Sequence, residues 1–470
     1  MDLHISLTDR RQVSGDIYRQ IRDAILDARL ESGNALPSSR ELARRLNVSR
    51  TTVMVVYERL RAEGFVHTRV GAGTFVSDVK PGSRRSGRPS PLVARPVWSE
   101  IPEGIDLSAT RPDFDFRPGV PDASRFPFAA WRSRMARQFR PRAIGAGTPI
   151  DAAGHPALRA SIARHIGVSR AVRASPDEVF VTNGSQQAVN LIARVLIEPG
   201  DTVAVEDPCY PLTLRAFVAH GARVASVPVD DEGLIVDQIP ERTRVVYVTP
   251  SHQYPLGMVM SMERRQALLA WAAQADAAVI EDDYDSEFRY GGRPLETLQS
   301  LDGAGRVLYV GSFSKSLLPT LRLGFLVAPS PLHTALRKAK QLADWHTALP
   351  AQAALADFMD DGLLAQHLRR MRRIYNERHD YIVDVLTRDL DGRLTPLPSA
   401  GGLHLTAFFD CGEPARDIGV ADSARSKGVA VLPLSYHYQT RAPQPGLLLG
   451  YGAIASDRIG EGLRRLHLCL

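Results

Sequence analysis

Apolar residues recur along the chain in two different rhythms, and the change between them divides it into parts. Over residues 14–30 isoleucines recur four positions apart, which is the spacing of an amphipathic helix. Two more helices are predicted over 36–46 and 51–63, and two short β runs follow up to Val76. Three helices followed by a β-hairpin predict a winged helix-turn-helix of the α+β class over residues 10–78.

The rest of the chain has a different organisation. Residues 79–108 are rich in Pro, Gly, Ser and Arg, cannot form a core, and are predicted to be a flexible basic linker. From there short apolar runs alternate with helical stretches, which predicts an α/β fold around a largely parallel sheet. We expect a large domain over 109–389, closed by one long helix at 355–386, and a small α/β domain over 390–470.

Composition places the protein in an ordinary class. The 470 residues are 44% hydrophobic and 23% charged, as in soluble globular proteins. Three cysteines, at 209, 411 and 469, are too few for a disulfide framework and favour a reducing cytoplasm. The first eleven residues lack the apolar core of a signal peptide, and no apolar run is long enough to span a bilayer. We therefore expect a cytoplasmic protein without a membrane partner.

The positive charge is concentrated at one end of the chain. The net charge is +6, and residues 1–90 hold 16 Lys and Arg against 10 Asp and Glu, whereas the remainder has 42 of each. A polyanion should therefore bind the amino-terminal fifth. In a helix-turn-helix, base edges and phosphates are contacted by the amino end of the third helix, with help from the preceding helix and the wing. The candidate DNA-binding residues are Arg40, Arg44, Ser49, Arg50, Thr51, Thr52, Arg69, Gly71 and Gly73.

This amino-terminal segment resembles the GntR-type winged helix. The strings that carry the resemblance are LPSSRELA, VSRTTV and GFVHTRVGAGTFV. The resemblance implies binding to a double-stranded DNA operator. A basic helical face that is merely solvated is the plain alternative.

Lysine is scarce in this chain, with five lysines against 53 arginines. An amine can lose its proton and attack a carbonyl carbon, which a guanidinium cannot do. Lys315 follows the apolar run 307–310, a predicted buried strand, and a lysine at such a strand end is placed to have its pKa lowered. The alternative is a surface lysine in a serine-rich loop.

Two groups of residues could bind a phosphate. Ser312, Ser314 and Arg322 bring two hydroxyls and a fixed fork of donors close to Lys315. Elsewhere, the predicted strand 179–182 runs into a small-residue turn that opens a helix, where free N–H groups and the helix dipole favour an anion. Ser185 and Gln186 are the expected donors in that turn.

The stretch around Lys315 resembles the pyridoxal-phosphate (PLP) lysine motif of fold-type I aminotransferases. The resemblance implies that Lys315 forms a Schiff base with PLP, that Arg322 binds the cofactor phosphate, and that GSQQ, with Ser185 and Gln186, is the phosphate turn. Tyr210 matches the aromatic residue that stacks on the PLP ring, with a packing tyrosine as the alternative.

A cluster of acids follows the predicted strand that begins at residue 277. In a PLP enzyme a carboxylate at a strand end pairs with the protonated ring nitrogen and keeps the ring an electron sink. We assign Asp282 to that role, with Asp283 as the alternative register, and Tyr284 to the ring hydroxyl. The acids could also merely cap the next segment. Aminotransferases usually have an Asn where this chain has Tyr254, which puts transaminase-grade tuning of the ring in doubt.

Together the two parts are similar to the MocR family of bacterial regulators, which join a GntR-type winged helix to an aminotransferase-like PLP domain. The most specific strings are TPSHQYPLG, IEDDYDSEFRY and GSFSKSLLPTLR. The resemblance implies a homodimeric, PLP-dependent transcriptional regulator rather than an enzyme. Two other classes stay open, an active aminotransferase with a DNA anchor and a DNA-binding scaffold with an empty pocket.

The identity of the effector is a separate question. The γ-aminobutyrate-responsive member of that family has arginines, able to clamp a carboxylate, where this chain has Leu212 and Ala453. The hypothesis is therefore that PLP itself is the effector, as in the family's regulators of pyridoxine synthesis. An amino acid or amine is the alternative.

Overall fold

A computed structural model of the protein describes residues 5, 13–69, 71–78, 92–102, 112–144, 151–290, 296–390, 392–399, 401–410, 416–440 and 444–470. The chain divides into two units, Met1–Val93 and Ala94–Leu470. The start of the predicted segment 10–78, most of the predicted linker 79–108, and Cys411 lie outside the described residues.

The amino-terminal unit has the predicted order of elements, namely α1 (Val13–Leu26), α2 (Ser39–Leu46), α3 (Arg50–Ala62), β1 (Val66–Arg69) and β2 (Gly73–Val76). Serine side chains start the second and third helices. The Ser38 hydroxyl accepts a hydrogen bond from the Glu41 N–H at 3.2 Å, and the Ser49 hydroxyl accepts one from the Thr52 N–H at 3.0 Å. The isoleucines of α1 pack with α3 in a small core of their own. The prediction of a winged helix-turn-helix is confirmed.

The second unit alternates helices and strands. Up to residue 390 its elements are α4 (Val97–Glu100), β3 (Phe114–Asp115), α5 (Phe128–Gln138), α6 (Pro141–Ile144), α7 (Pro156–Arg170), β4 (Val179–Thr182), α8 (Ser185–Leu196), β5 (Thr202–Asp207), α9 (Pro211–Ala219), β6 (Arg223–Asp230), β7 (Gly233–Leu234), β8 (Thr243–Val248), α10 (Met262–Gln274), β9 (Ala278–Asp283), α11 (Leu298–Leu301), β10 (Val307–Ser312), β11 (Gly324–Val327), α12 (His333–Asp344), α13 (Leu349–Asp360) and α14 (Leu363–Asp389). The last part contains β12 (Leu394–Pro396), β13 (His404–Phe409), α15 (Arg416–Ser426), β14 (Val429–Ala430), β15 (Leu432–Pro433), β16 (Gly446–Gly450) and α16 (Ile459–His467).

A sheet of eight strands organises the larger part of this unit, in the order β4-β11-β10-β9-β8-β5-β6-β7. The five strands from β10 to β6 run parallel, and β11 and β7 are antiparallel to their neighbours. Apart from the half-buried first residues of β5 and β9, the central strands β5, β9 and β10 are buried throughout, as expected where helices cover both faces of a sheet. The prediction of a largely parallel α/β sheet is confirmed.

A second, antiparallel sheet, β12-β13-β16-β15, lies in the last part of the chain. The chain from 429 to 433 serves two sheets, because β14 pairs with β3 whereas β15 joins this sheet. The predicted single helix at 355–386 is wrong. The chain breaks into α13 and α14 at Gly362, whose φ of +73° lies in the left-handed region that a glycine adopts without steric cost.

Among the described residues, none of the helices is both long and apolar enough to cross a membrane. Cys209 and Cys469 are free thiols.

Candidate functional site

The candidate DNA-binding residues lie on α2, at the start of α3 and in the β-hairpin wing. Arg40, Arg44, Arg50 and Thr51 are exposed, as is the tip of the wing with its two glycines. Both glycines have positive φ, +77° at Gly71 and +118° at Gly73, so the wing turns where no side chain is present. The Arg69 guanidinium lies 5.0 Å from the centre of the Phe75 ring, which holds the arginine on the outer strand.

Two candidates in this unit have local partners. Ser49 caps α3, and the Thr52 hydroxyl lies 2.7 Å from the Ser49 hydroxyl, so both hydroxyls already have a hydrogen bond within the helix start. Sequence reasoning missed two apolar residues on the outer face of α3. Met54 and Val55 are 46% and 54% exposed. The buried residues of α3 are apolar or aromatic too, so residue type alone did not distinguish the two faces of the helix.

The second candidate site lies at one edge of the eight-stranded sheet. β4, β10 and β9 all point their carboxyl ends to this edge, and the register places Thr182, Gly324 and Ser312 level with one another. Ligand sites of open α/β sheets form at such an edge. The segments that follow these strands carry the residues predicted to bind a cofactor.

Lys315 lies three residues beyond β10. Its Nζ donates a hydrogen bond to the carbonyl oxygen of Gly119 at 2.8 Å. Burial lowers the pKa of the Lys315 amine, and the nearby carboxylates of Asp285 and Asp282 oppose that shift. Gly119 was not anticipated from the sequence. A Cβ atom there would lie 2.5 Å from the lysine nitrogen, so only glycine fits beside the amine.

The predicted anion site has its parts in contact. Arg322 adopts the left-handed conformation, with φ of +51°, and its Nη2 donates to the carbonyl oxygen of Asn183. A Cβ on Gly184 would lie 3.0 Å from that Nη2, so the guanidinium packs against the turn. Ser185 begins α8, and Gln186 follows it with its side chain donating to the Leu212 carbonyl at 3.0 Å. The free N–H groups of α8 and the guanidinium therefore meet at one place.

The serines after β10 differ in exposure. Ser312 is buried and accepts a hydrogen bond from the Ser314 N–H at 3.1 Å, whereas Ser314 is half-buried.

A buried ion pair supports the same turn from below, and sequence reasoning missed it. Lys340 is fully buried and its Nζ lies 2.7 Å from both oxygens of Asp344. Asp344 also accepts hydrogen bonds from the side chains of Asn183, at 2.6 Å, and Gln187, at 2.8 Å. The spacing of Lys340 and Asp344, four residues apart on one helix, was the only signal available in the sequence.

Asp282 lies on the same side of the sheet as the lysine. Its Oδ2 accepts a hydrogen bond from the Tyr247 hydroxyl at 2.7 Å, and its Oδ1 is buried with no hydrogen-bond partner among the described residues. Burial raises the pKa of Asp282 to about 6, and Lys315 acts in the opposite direction. A buried carboxylate oxygen without a donor can accept a hydrogen bond from a ligand.

Asp283 has different neighbours, because successive residues of a strand point to opposite faces. Its Oδ2 is 2.7 Å from Arg170 Nε and also accepts the Tyr309 hydroxyl. Its other oxygen is likewise unpaired within the described chain, but a buried guanidinium balances the charge. Asp282 and not Asp283 therefore lies near Lys315.

An aromatic and imidazole cluster completes the site. The Tyr210 ring meets the Tyr254 ring edge-on at 5.4 Å, and the Tyr254 ring lies 5.8 Å from that of Tyr284. The Tyr284 hydroxyl is 2.9 Å from Nδ1 of His252. That nitrogen also contacts Asp285, and neither His252 nor Asp285 was singled out from the sequence.

Both parts of the chain are similar to known protein families. A model described as bacterial regulatory proteins of the gntR family matches residues 13–76, and one described as aminotransferase class I and II matches 121–442. The probable rhizopine catabolism regulatory protein MocR of Rhizobium meliloti is 36% identical over 96% of this chain and 92% of its own length. The chain belongs to the MocR family.

One further relative and one solved structure are similar to this MocR-family protein. The pyridoxine biosynthesis transcriptional regulator PdxR of Corynebacterium glutamicum is 33% identical, over 97% of this chain and 96% of its own. The crystal structure of kynurenine aminotransferase from Pyrococcus horikoshii, in complex with PMP, is 30% identical and superposes with a TM-score of 0.70, covering 77% of this chain and 91% of that one. The MocR-family chain is thus a transcriptional regulator whose second unit has the fold of PLP-dependent aminotransferases.

Proposed function

We propose that the protein is a DNA-binding regulator that holds PLP at Lys315, responds to PLP itself, and controls genes of vitamin B6 metabolism in the bacterial cytoplasm. The observation that supports this most is the meeting, at one sheet edge, of Lys315, the unpaired oxygen of Asp282 and the turn beside Arg322. These three features match an aldehyde, a protonated ring nitrogen and a phosphate in one molecule.

The residues fit PLP group by group. The Lys315 amine, with its pKa lowered by burial, is the nucleophile that attaches the aldehyde carbon. The N–H groups at Ser185 and Gln186, the Arg322 guanidinium and the hydroxyls of Ser312 and Ser314 would hold the phosphate.

The ring has its own set of contacts. Asp282 would accept a hydrogen bond from the protonated ring nitrogen, Tyr210 would stack on the ring, and Tyr284 would bind the ring hydroxyl. When bound, PLP supplies an electrophilic carbon and an electron-withdrawing ring.

The preference for PLP over an amino-acid effector rests on two positions. Leu212, at the start of α9, and Ala453 provide no charge for a substrate carboxylate, which forgoes about 1.5–3 kcal/mol for each charged hydrogen bond. PdxR, among the relatives named above, is a pyridoxine biosynthesis regulator, whereas MocR is named for rhizopine catabolism. The alternative is therefore an amine or amino-acid effector.

A titration separates these possibilities. Calorimetry of the PLP-loaded protein with γ-aminobutyrate, taurine and the common amino acids should give no saturable heat, while PLP should change the affinity of the cofactor-free protein for its operator. Saturable exchange with any of the amines would overturn the choice of effector. Turnover of an amino donor to a keto acid would instead favour an aminotransferase, which the retention of Lys315, Asp282 and Arg322 keeps as the second candidate.

The outer face of α3 suggests how bases are read. Thr51, Met54, Val55 and Glu58 recur at helical spacing and are all exposed. In the major groove the thymine methyl is the apolar feature that such side chains can contact. We expect Met54 and Val55 to select thymines.

The prediction can be tested with a duplex selected from a random pool. Replacing its thymines by deoxyuridine should weaken binding about fourfold for each contacted methyl, from about 0.8 kcal/mol per buried carbon. The double variant Met54→Ala/Val55→Ala should lose this sensitivity, whereas Leu26→Ala, exposed on α1, should keep it. Equal sensitivity in both variants would refute the assignment.

A homodimer is proposed from the end of α12. Leu342 and Trp345 are 75% and 64% exposed, beside the Asp344 that supports the turn at Asn183. Exposed aromatic anchors of this kind are typical of interface centres. Leu342→Glu/Trp345→Glu should sediment as a monomer, and Lys338→Glu, exposed on the same helix, should remain a dimer. A dimeric double variant would show that the interface lies elsewhere.

A further inference from the structure

Nδ1 of His252 lies within hydrogen-bond distance of three oxygen atoms. It lies 3.1 and 3.2 Å from the two oxygens of Asp285 and 2.9 Å from the hydroxyl oxygen of Tyr284. His252 and Asp285 are both buried. A ring nitrogen carries either one hydrogen or one lone pair, so Nδ1 is either the donor or the acceptor in all three contacts.

The carboxylate decides which arrangement holds. An ionised Asp285 can only accept, so two of the three contacts require a hydrogen on Nδ1. A lone pair on Nδ1 would face the carboxylate oxygens at hydrogen-bond distance between two buried side chains, where the repulsion is only weakly screened. Nδ1 is therefore a donor, and the Tyr284 oxygen meets it as an acceptor. The tyrosine's own hydrogen is left for another partner.

The far side of the imidazole is fixed as well. Nε2 is 3.2 Å from the hydroxyl oxygen of Ser399, whose one hydrogen can be donated either to Nε2 or to the carbonyl oxygen of Gly401, 3.0 Å away. A Cβ on Gly402 would lie 2.2 Å from Cε1 of His252, so the backbone is packed directly on the ring. Only glycine at this position leaves room for the imidazole.

Within the described part of the chain, the other charged or titratable groups around the ring do not compete for Nδ1. His404 on β13, with its ring centre 5.2 Å away, donates from Nε2 to the Pro255 carbonyl, and burial holds its pKa well below the usual value. Lys315 donates to Gly119, and Tyr254 contacts the rings of Tyr284 and His404 edge-on or tilted.

We propose that His252, held by Asp285, is a positioning residue that makes Tyr284 a hydrogen-bond donor to the ring oxygen of PLP. The inference rests on the proposed function, because it requires PLP on Lys315. It gives this chain a device for the ring oxygen although Tyr254 stands where aminotransferases usually have Asn. His252 does not touch the cofactor and acts through the proton of Tyr284.

The test follows the absorbance of the PLP-loaded protein as the pH is raised. A donor to the ring oxygen stabilises negative charge on it and lets the Lys315-bound form lose its proton at lower pH. His252→Gln and Tyr284→Phe should each raise the midpoint by about one pH unit, the size expected for one hydrogen bond to a charged group. The double variant should show no more than the single Tyr284→Phe effect. His165→Gln, a half-buried histidine on α7, is the matched control and should not change the midpoint.

The outcomes separate the inference from the function it rests on. An unchanged midpoint in His252→Gln, or additive shifts in the double variant, would overturn the positioning role while PLP binding stands. Absence of a PLP band in the unsubstituted protein would overturn the proposed function and this inference with it. If the Gln variant loses its native unfolding transition, His252→Asn replaces it in the same cycle, with the same expected rise and the same overturning results.

Discussion

Lys315→Ala is expected to remove the yellow absorbance of the PLP-loaded protein completely, because Lys340, the other described lysine near this edge of the sheet, is held in its ion pair with Asp344. Lys315→Arg should remove the absorbance as well, since a guanidinium keeps the charge but cannot form a bond to a carbonyl carbon. Absorbance after gel filtration, together with operator binding with and without PLP, measures the effect. PLP-dependent operator affinity should disappear with the band.

The matched control for this experiment is Lys338→Ala, a substitution of an exposed lysine on α12. It should retain both the band and the response of operator affinity to PLP. A band that persists in Lys315→Ala, or a loss of equal size in the control, would contradict the assignment of Lys315.

Asp283→Ala is expected to lower the free energy of unfolding by about 3–5 kcal/mol, because it leaves Arg170 buried without its counter-charge. Asp282→Asn should behave differently. The amide keeps the volume of the side chain and can still accept from Tyr247, so stability should change little while PLP affinity falls. Urea denaturation gives the first quantity, and PLP titration of the cofactor-free protein gives the second.

The two neighbours thus serve as controls for each other. Equal losses of stability in both variants would show that the division between a structural and a cofactor-facing carboxylate is wrong. So would tight PLP binding in Asp282→Asn.

This pair also marks the limit of what could be predicted from the sequence. The strand and its run into acids are visible in the apolar pattern, but the choice between Asp282 and Asp283 depends on which face each side chain occupies. That is set by partners far along the chain. Arg170, 113 residues away, takes one face, and Lys315 lies on the other. Local spacing contains neither fact.

The same distinction applies to the predicted anion site. The small-residue turn after β4 and the distant Arg322 could both be predicted, because each has a local chemical reason. Gly119 and the Lys340–Asp344 pair could not, since each becomes meaningful only when another segment packs on it. His252 and Asp285 belong with these, as a pair joined only by folding.

The break between α13 and α14 has a simpler cause. Apolar positions continue with helical spacing on both sides of Gly362, so periodicity alone predicts one helix. A single glycine in the left-handed conformation is enough to end the first helix and start the next.

The hydrogen bond from Lys315 to Gly119 links the lysine to the loop that packs against the antiparallel sheet. If the Lys315 amine held PLP it would have fewer hydrogens to donate, and the Gly119 carbonyl would share or lose its donor. The neighbouring residues of that loop lie directly against Gly450 and Gly452, at the end of the antiparallel sheet, with no side chain between them. A backbone shift at Gly119 would therefore press directly on this end of the antiparallel sheet.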